Sequence, residues 1–135
     1  MISPVVVYPE PQTAAVDALR AGLVGRESTY TTGVKFIPQP PPTASSTPLI
    51  RIAVDSNRPQ DRVITRALLR VTVWHLGESL AHDLGQLCHG LMLAHSGDSI
   101  AACYEESGPI PGFDPEPEMH FSTFTVRAVL RGRAI

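Results

Sequence analysis

The segment 78–95 contains the side chains that could ligate a metal ion: His82, Cys88, His89 and His95. Imidazole and thiolate are the usual zinc ligands, and two of them reach one ion from one helix when they are three or four residues apart. Here His82 and His89, like Cys88 and His95, are seven residues apart. The spacing therefore favours a helix with a buried cysteine and flanking histidines, and we expect neither a metal site nor a cofactor.

Two other groups resemble parts of hydrolytic sites. The run 96–99, Ser-Gly-Asp-Ser, follows His95, and Asp55 and Asp61 could act as a carboxylate pair. Ser, Gly and Asp are also the residues that turns and helix ends favour for conformational reasons. The sequence contains no glycine-rich phosphate loop, metalloprotease helix motif or nucleophile elbow. These patterns predict no catalytic residue and a protein that is not an enzyme.

The charged residues are segregated along the chain. Residues 71–126 contain no Lys or Arg and carry eight carboxylates, whereas the remaining residues carry 11 cations and five carboxylates. The net charge of -2 therefore combines a segment of -8 with flanking segments that total +6. Such asymmetry bears on partners and association rather than on fold. Because the chain is not basic overall and lacks an aromatic-rich RNA-binding pattern, specific nucleic-acid binding is not expected.

Hydrophobic spacing predicts the elements that position these groups. Apolar residues recur at helical spacing in 12–24 and in 78–95, and they alternate in 49–55, 62–75 and 120–131. This order predicts a single α+β domain in which two main helices pack on one face of a mostly antiparallel sheet. The predicted core joins Val16, Leu19, Leu23, Leu80, Leu84, Leu87 and Leu91 of the helices to Ile50, Ile52, Val54, Leu69, Val71, Val73, Phe124, Val126 and Leu130 of the strands.

Two proline-containing loops are expected at the surface of this domain, which covers residues 1–135. Residues 39–48 include three consecutive prolines, which cannot donate to a sheet ladder, and residues 108–118 are acidic and also contain proline. The start of the chain lacks the pattern of a signal peptide, and no apolar run approaches the ~20 residues of a membrane span. We therefore expect synthesis in a cytoplasm, no membrane partner, and Cys88 and Cys103 as reduced, packed thiols.

Alternation along three strands would collect five arginines on the sheet face opposite the helices. A face covered by helices is apolar, so this second face must meet water, nucleic acid or another subunit. Trp74 falls on the same face, where packing under the following helix is one interpretation and a partner contact is the other. The five arginines are Arg51, Arg66, Arg70, Arg127 and Arg131.

Taken in order, these elements resemble the tail terminator proteins, also called tail completion proteins, of long-tailed bacteriophages. The resemblance covers most of the chain from Pro11 onward. Its residues are the helix 12–24, the strand-turn-strand that ends in Val-Thr-Val-Trp-His at 71–75, the helix 78–95, Ser-Gly-Pro at 107–109, Asp-Pro at 114–115, and the strand 121–132 with Val-Leu-Arg-Gly at its end.

The resemblance implies a non-enzymatic virion protein, made in the host cytoplasm and located at the head-proximal end of the tail. Its copies would form a homo-hexameric ring that caps the tail tube protein, stops its polymerisation and attaches the head-side connector protein. Genome DNA would pass through the ring without specific binding. A head-tail connector or neck subunit is the alternative among structural proteins, and a small enzyme and a monomeric binding module are the alternatives from other classes.

A head-to-tail ring brings two different patches of neighbouring copies together, so the segregated charges could meet across each contact. We expect a basic side on one copy and an acidic side on the next, unless some arginines line the channel and meet DNA. The expected basic side comprises Arg58, Arg62, Arg66, Arg70, Arg127 and Arg131, and the expected acidic side comprises Glu105, Glu106, Asp114, Glu116 and Glu118.

Overall fold

The structure, a computed structural model, describes residues 6–26, 28, 30–59 and 64–134. Their helices and strands follow one another in an order close to the predicted one. The elements are β1 (Val6–Val7), α1 (Pro11–Leu23), β2 (Lys35–Phe36), β3 (Leu49–Pro59), β4 (Ile64–His75), α2 (Glu78–Ala94), β5 (Ile100–Asp114), β6 (Met119–Arg131) and β7 (Arg133–Ala134).

Five of the strands form one sheet in the order β2-β3-β4-β6-β5. Neighbouring strands are antiparallel except β2 and β3, which run parallel. The strands β1 and β7 form a separate antiparallel ladder. The predicted α+β fold with a mostly antiparallel sheet is therefore confirmed.

The main core lies between the two helices and one face of the sheet. Ala15 and Leu19 of α1 and Leu84, Cys88 and Met92 of α2 belong to one buried cluster. Eight of the nine predicted strand residues belong to the same cluster, because alternation places them on the face that the helices cover. These are Ile50, Ile52, Leu69, Val71, Val73, Phe124, Val126 and Leu130, while Val16, Leu23 and Leu91 are partly buried against them.

The predicted core is wrong at Val54, since 37% of the surface of this residue is exposed. The short strand β2 accompanies β3 only at Leu49 and Ile50, so β3 is an outer strand where it reaches Val54. The register of β3 with β4 also shifts between Val54 and Ser56, which marks a β-bulge. Alternation of apolar residues predicts neither the outer position of β3 nor the β-bulge.

The buried stripe of α2 is rotated from the predicted one. Leu80 and Leu87 are half-buried and belong to neither buried cluster, because small residues let the helix approach β6 on a neighbouring face. A Cβ added to Gly85 would lie 2.6 Å from the Cβ of Ser122, closer than side chains approach without bonding. The residues that α2 buries are Ala81, Leu84, Gly85, Cys88, His89 and Met92.

The segment 108–118 is mostly strand and not the expected loop. The strand β5 continues through Pro109 and Pro111 to Asp114, and only residues 115–118 form the turn into β6. An outer strand tolerates proline, since an N–H that faces away from the ladder has no partner in the sheet to lose. Three register shifts between β5 and β6 accommodate the irregular stretches.

Residues 39–48 form neither helix nor strand, and most of them are exposed. Pro41 and Pro48 are nevertheless buried, and the Ser45 hydroxyl accepts a hydrogen bond from the Thr47 N–H at 3.2 Å. Arg51 reaches the start of this segment and donates from its Nε to the Pro38 carbonyl at 3.2 Å. The loop is therefore tied to the domain by the burial of Pro41 and Pro48.

A second, smaller cluster lies on the face of the sheet opposite the helices. Trp74 and Met119 are buried there with Leu49, and Phe121 packs against them. Trp74 is one residue from Val73, whose side chain faces Gly85 of α2, so alternation turns the indole to the other face. Trp74 therefore packs within the domain and not under the following helix.

The thiols of the two cysteines should be unreactive in the folded protein. Both are free and buried, and burial raises the pKa of the Cys88 thiol to about 12 and that of Cys103 to about 11. At pH 8 the thiolate, the reactive form, is then about a thousandth of the population or less. We expect no reaction with Ellman's reagent until guanidinium unfolds the chain, and then two equivalents per chain. Ser96→Cys, at an exposed position, is the control, and rapid labelling of the native protein would contradict the prediction.

Candidate assembly surface

The helix-free face of the sheet carries the five arginines that alternation groups together. The β4–β6 ladder has no register shift from Ile64 to His75, so alternation holds along both strands. The hydroxyl oxygens of Thr72 and Thr123, which are opposite each other in this ladder, lie 3.1 Å apart on the same face. The residues on this face are Arg51, Arg66, Arg70, Arg127 and Arg131.

Two of these arginines form ion pairs within the subunit. Arg70 Nη2 lies 3.0 Å from Asp55 Oδ2, and Arg127 Nη2 donates to Glu106 Oε2 at 2.7 Å. Both carboxylates lie at register shifts of their strands, where a β-bulge re-aims a side chain. Arg70, Arg127 and Glu106 are therefore engaged in ion pairs within the chain, and nothing in the sequence signals these pairs because cross-strand contacts depend on the bulges.

Among the described arginines of this face, Arg66 and Arg131 lie at one end of the sheet, whereas Arg51, opposite Thr72, lies nearer the other end. Arg66 and Arg131 are exposed, and neither forms an ion pair within the described part of the chain. Arg131 lines a cleft of about 450 Å³ together with Asp98 of the loop after α2. The side chain of Arg58 and all of Arg62 lie outside the described residues. We refer to Arg66 and Arg131 as the basic end.

Three carboxylates that form no ion pair within the described residues lie at the β5–β6 turn. Asp114 Oδ1 accepts a hydrogen bond from the Glu116 N–H at 3.2 Å, which fixes the start of the turn. Glu118 adopts the left-handed backbone conformation, with a φ of 56°, and returns the chain into β6. We refer to Asp114, Glu116 and Glu118 as the acidic turn.

Glu105, also expected on the acidic side, lies elsewhere. It faces the helices, where its Oε1 lies 3.4 Å from Nε2 of His89. That contact lacks hydrogen-bond geometry, so the buried Nε2 has no hydrogen-bond partner within the described residues. His89 instead places its ring edge-to-face on Phe124, with centroids 4.9 Å apart. Glu105 therefore does not belong to the acidic turn.

The basic end and the acidic turn lie at opposite ends of the same strands. The strand β6 spans 13 residues, Met119–Arg131. At about 3.4 Å per residue the two charged regions are roughly 40 Å apart. Two copies arranged head to tail would bring opposite charges together, whereas pairing of like ends would bring like charges together.

The residues considered for catalysis and metal binding do not converge on a site. Within 6–26, 28, 30–59 and 64–134, no three His, Cys, Asp or Glu side chains come together as metal ligands. His82 is exposed on α2, whereas Cys88 and His89 are buried in the domain. Asp55 pairs with Arg70, and Asp61 lies outside the described residues. Neither described helix has the length and apolarity needed to cross a bilayer.

A row of ring side chains that sequence analysis missed crosses the sheet beside the acidic turn. His75, His120 and Phe113 occupy paired positions on β4, β6 and β5, and the Phe113 and His120 rings meet edge-to-face with centroids 5.0 Å apart. Both ring nitrogens of His75 are buried, with no hydrogen-bond partner among the described residues. Burial lowers the pKa of His75, because a charged imidazole would lose its hydration there.

This histidine should make the folded protein sensitive to mild acid. The unfolded chain binds a proton at His75 at a higher pH than the folded one, so the stability is fully present above the unfolded pKa and is lost as pH falls through it. We expect the melting temperature of the wild type to fall between about pH 7.5 and pH 5.5 by more than that of His75→Phe, which cannot titrate. Equal losses in the two proteins would contradict the prediction.

Compared with protein-family models and with curated proteins, the sequence has no significant match.

Proposed function

We propose that this protein is a ring-forming virion subunit of the phage tail-terminator type, which caps the tail tube and attaches the head-side connector. The separation of the basic end from the acidic turn carries the proposal, because it gives each copy two different, complementary contact regions. A contact between unlike patches closes into a ring when the rotation between copies is a simple fraction of a circle. The order of elements, which resembles that family, supports a hexamer.

Ionic strength and charge reversal test the ring contact. Each exposed ion pair contributes only about 0.2–1 kcal/mol, so the contact depends on several pairs repeated around the ring. Raising the salt from about 0.01 M to 1 M shortens the screening length from about 30 Å to about 3 Å, and sedimentation should then show a shift from ring to monomer. A ring population that is unchanged or grows with salt would contradict the charge-based contact.

Reversed charges make the same test specific to the two ends. Glu116→Arg/Glu118→Arg and Arg66→Glu/Arg131→Glu should each be monomeric, because both ends of a copy then carry the same sign. Mixing the two variants should restore assemblies in which they alternate, since every contact again joins opposite charges. Assembly of either variant alone, or failure of the mixture to assemble, would place the contact elsewhere on the surface.

The role in the virion is tested by electron microscopy of tails produced without this protein. Loss of a terminator should give overlong tails, because nothing stops the polymerisation of the tube. Tails of normal length that lack heads would instead indicate a connector or neck subunit. Complementation with the charge-reversed variants, singly and together, would link the role to the contact between copies.

A further inference from the structure

A groove lies between the end of α1 and the outer edge of β2, at the opposite edge of the sheet from β5. It has a volume of about 660 Å³ and is lined by Arg20, Leu23 and Val24 of the helix end and by the segment 31–37. Val24 is 76% exposed, the largest exposed fraction among the described large apolar residues. The groove therefore presents an apolar wall to solvent beside an open strand.

The outer edge of β2 offers a pair of backbone groups for which the described residues provide no partner. The Lys35 N–H donates to the Pro48 carbonyl at 3.0 Å, and the Ile37 N–H donates to the Ile50 carbonyl at 2.8 Å. Successive amides of a strand point to opposite sides, so the N–H and carbonyl of Phe36 face away from β3 and into the groove. An extended chain laid in the groove could pair with both.

The side chains that flank this edge define what such a chain must carry. Phe36 is paired with Ile50 on the helix side of the sheet, and Lys35 is paired with Leu49 on the other side. Side chains of an added strand would alternate in the same way, facing Leu23 and Val24 on one side and the Lys35 ammonium on the other. Apolar residues suit the first set of positions and carboxylates suit the second.

The charge of the groove suits an acidic partner, with Lys35 on the side that the acidic positions would face and Arg20 on the helix side over Phe36. Two cations line it, Arg20 and Lys35, and none of its described lining residues is acidic. The Arg20 guanidinium lies over the Phe36 ring, with its Cζ 5.0 Å from the centroid, which holds this cation beside the open edge. The opposite wall is fixed before binding, since Thr31 Oγ1 donates to the Arg26 carbonyl at 2.8 Å and the Val34 N–H donates to the Thr31 carbonyl at 3.3 Å. A preformed groove loses less entropy when it binds.

We propose that this groove binds an extended segment of a partner protein, with alternating apolar and acidic residues, which adds as a strand to the outer edge of β2. The strand has only two residues and carries a lysine, features that protect an edge against indiscriminate pairing. Side-chain contacts with Val24, Lys35 and Arg20 must therefore supply the selectivity, as pockets do in other cases of strand addition. The inference uses none of the residues of the ring contact and holds whether or not the protein forms rings.

The probe is the peptide Ac-TVEVEVT-NH2, titrated into ¹⁵N-labelled protein to about 2 mM, a concentration that detects millimolar binding. We expect the largest amide shifts at Phe36 and Val24 and at least about tenfold slower hydrogen exchange at the Phe36 amide. The matched peptide Ac-TVKVKVT-NH2 should not bind. Lys35→Glu, at an exposed position, should weaken the acidic peptide about tenfold and bind the lysine peptide instead.

Four results would overturn the inference. The first is the absence of shifts at Phe36 and Val24 with the acidic peptide, and the second is equal binding of the acidic and lysine peptides. The third is undiminished binding of an acidic peptide N-methylated at its central valine, which cannot pair as a strand. The fourth is displacement of the acidic peptide from the groove by a thymidine oligonucleotide, which would show a nucleic-acid site in its place.

Discussion

Gly85→Ala should destabilise the protein by about 1–3 kcal/mol, because the new methyl group has no room between α2 and β6. Its Cβ would lie 2.6 Å from the Cβ of Ser122, which is itself fully buried in the ladder with β4. The helix must then shift away from the sheet, and the contacts of Leu84 and Cys88 on the same stripe loosen with it. Urea unfolding gives the free energy directly.

Gly90→Ala on the same helix is the matched control, with the opposite expected sign. No atom outside its immediate neighbours lies within 4 Å of a Cβ built there. The substitution should stabilise the protein by about 0.5–1 kcal/mol, since alanine loses less backbone entropy than glycine in a helix. In a Ser122→Gly background the cost of Gly85→Ala should shrink, because the group it meets is gone. Equal effects of Gly85→Ala and Gly90→Ala would mean that α2 does not touch β6 at this point.

Leu84→Ala should cost about 2–5 kcal/mol, because the side chain is fully buried between α2 and the sheet and its removal leaves a cavity. Leu87→Ala removes the same atoms three residues further along the helix, from a half-buried position outside both clusters. Its cost should stay below about 1.5 kcal/mol, the value of roughly two buried methylene groups. Comparable losses of stability in the two variants would support the buried stripe of α2 that hydrophobic spacing predicts and would contradict the one in the structure.

The fold class and most of the strand core could be predicted because their signal is local. Alternation along β4 and β6 is uninterrupted, so residues such as Val71 and Phe124 fall on the buried face that their spacing indicates. The rotation of α2 could not be predicted from large apolar residues, since the side of the helix that approaches the sheet is marked by Gly85 and Ala81. Small residues carry little hydrophobic signal and act through the close approach that they permit.

The candidate surface was predictable as a set of residue types and not as a set of contacts. Spacing on three strands was enough to place the arginines on one face. Which of them form ion pairs within the chain depends on Asp55 and Glu106, whose positions are set by register shifts that leave no trace in a single sequence. The prolines of β5 led to the wrong prediction of a loop for a related reason. A strand tolerates proline only at the edge of a sheet, and spacing does not show which strands are at the edge.

The strand order has a consequence for how the chain matures during synthesis. The strand β6 lies between β4 and β5, yet its residues, 119–131, are made after those of β4, α2 and β5. Until they leave the ribosome, the hairpin of β3 and β4 and the apolar side of α2 have no partner strand to complete the core. The basic end needs Arg131 and the acidic turn needs the β5–β6 hairpin, so both regions form together when β6 joins the sheet. The proposed contact between copies would then be unavailable to a nascent chain until β6 has joined the sheet.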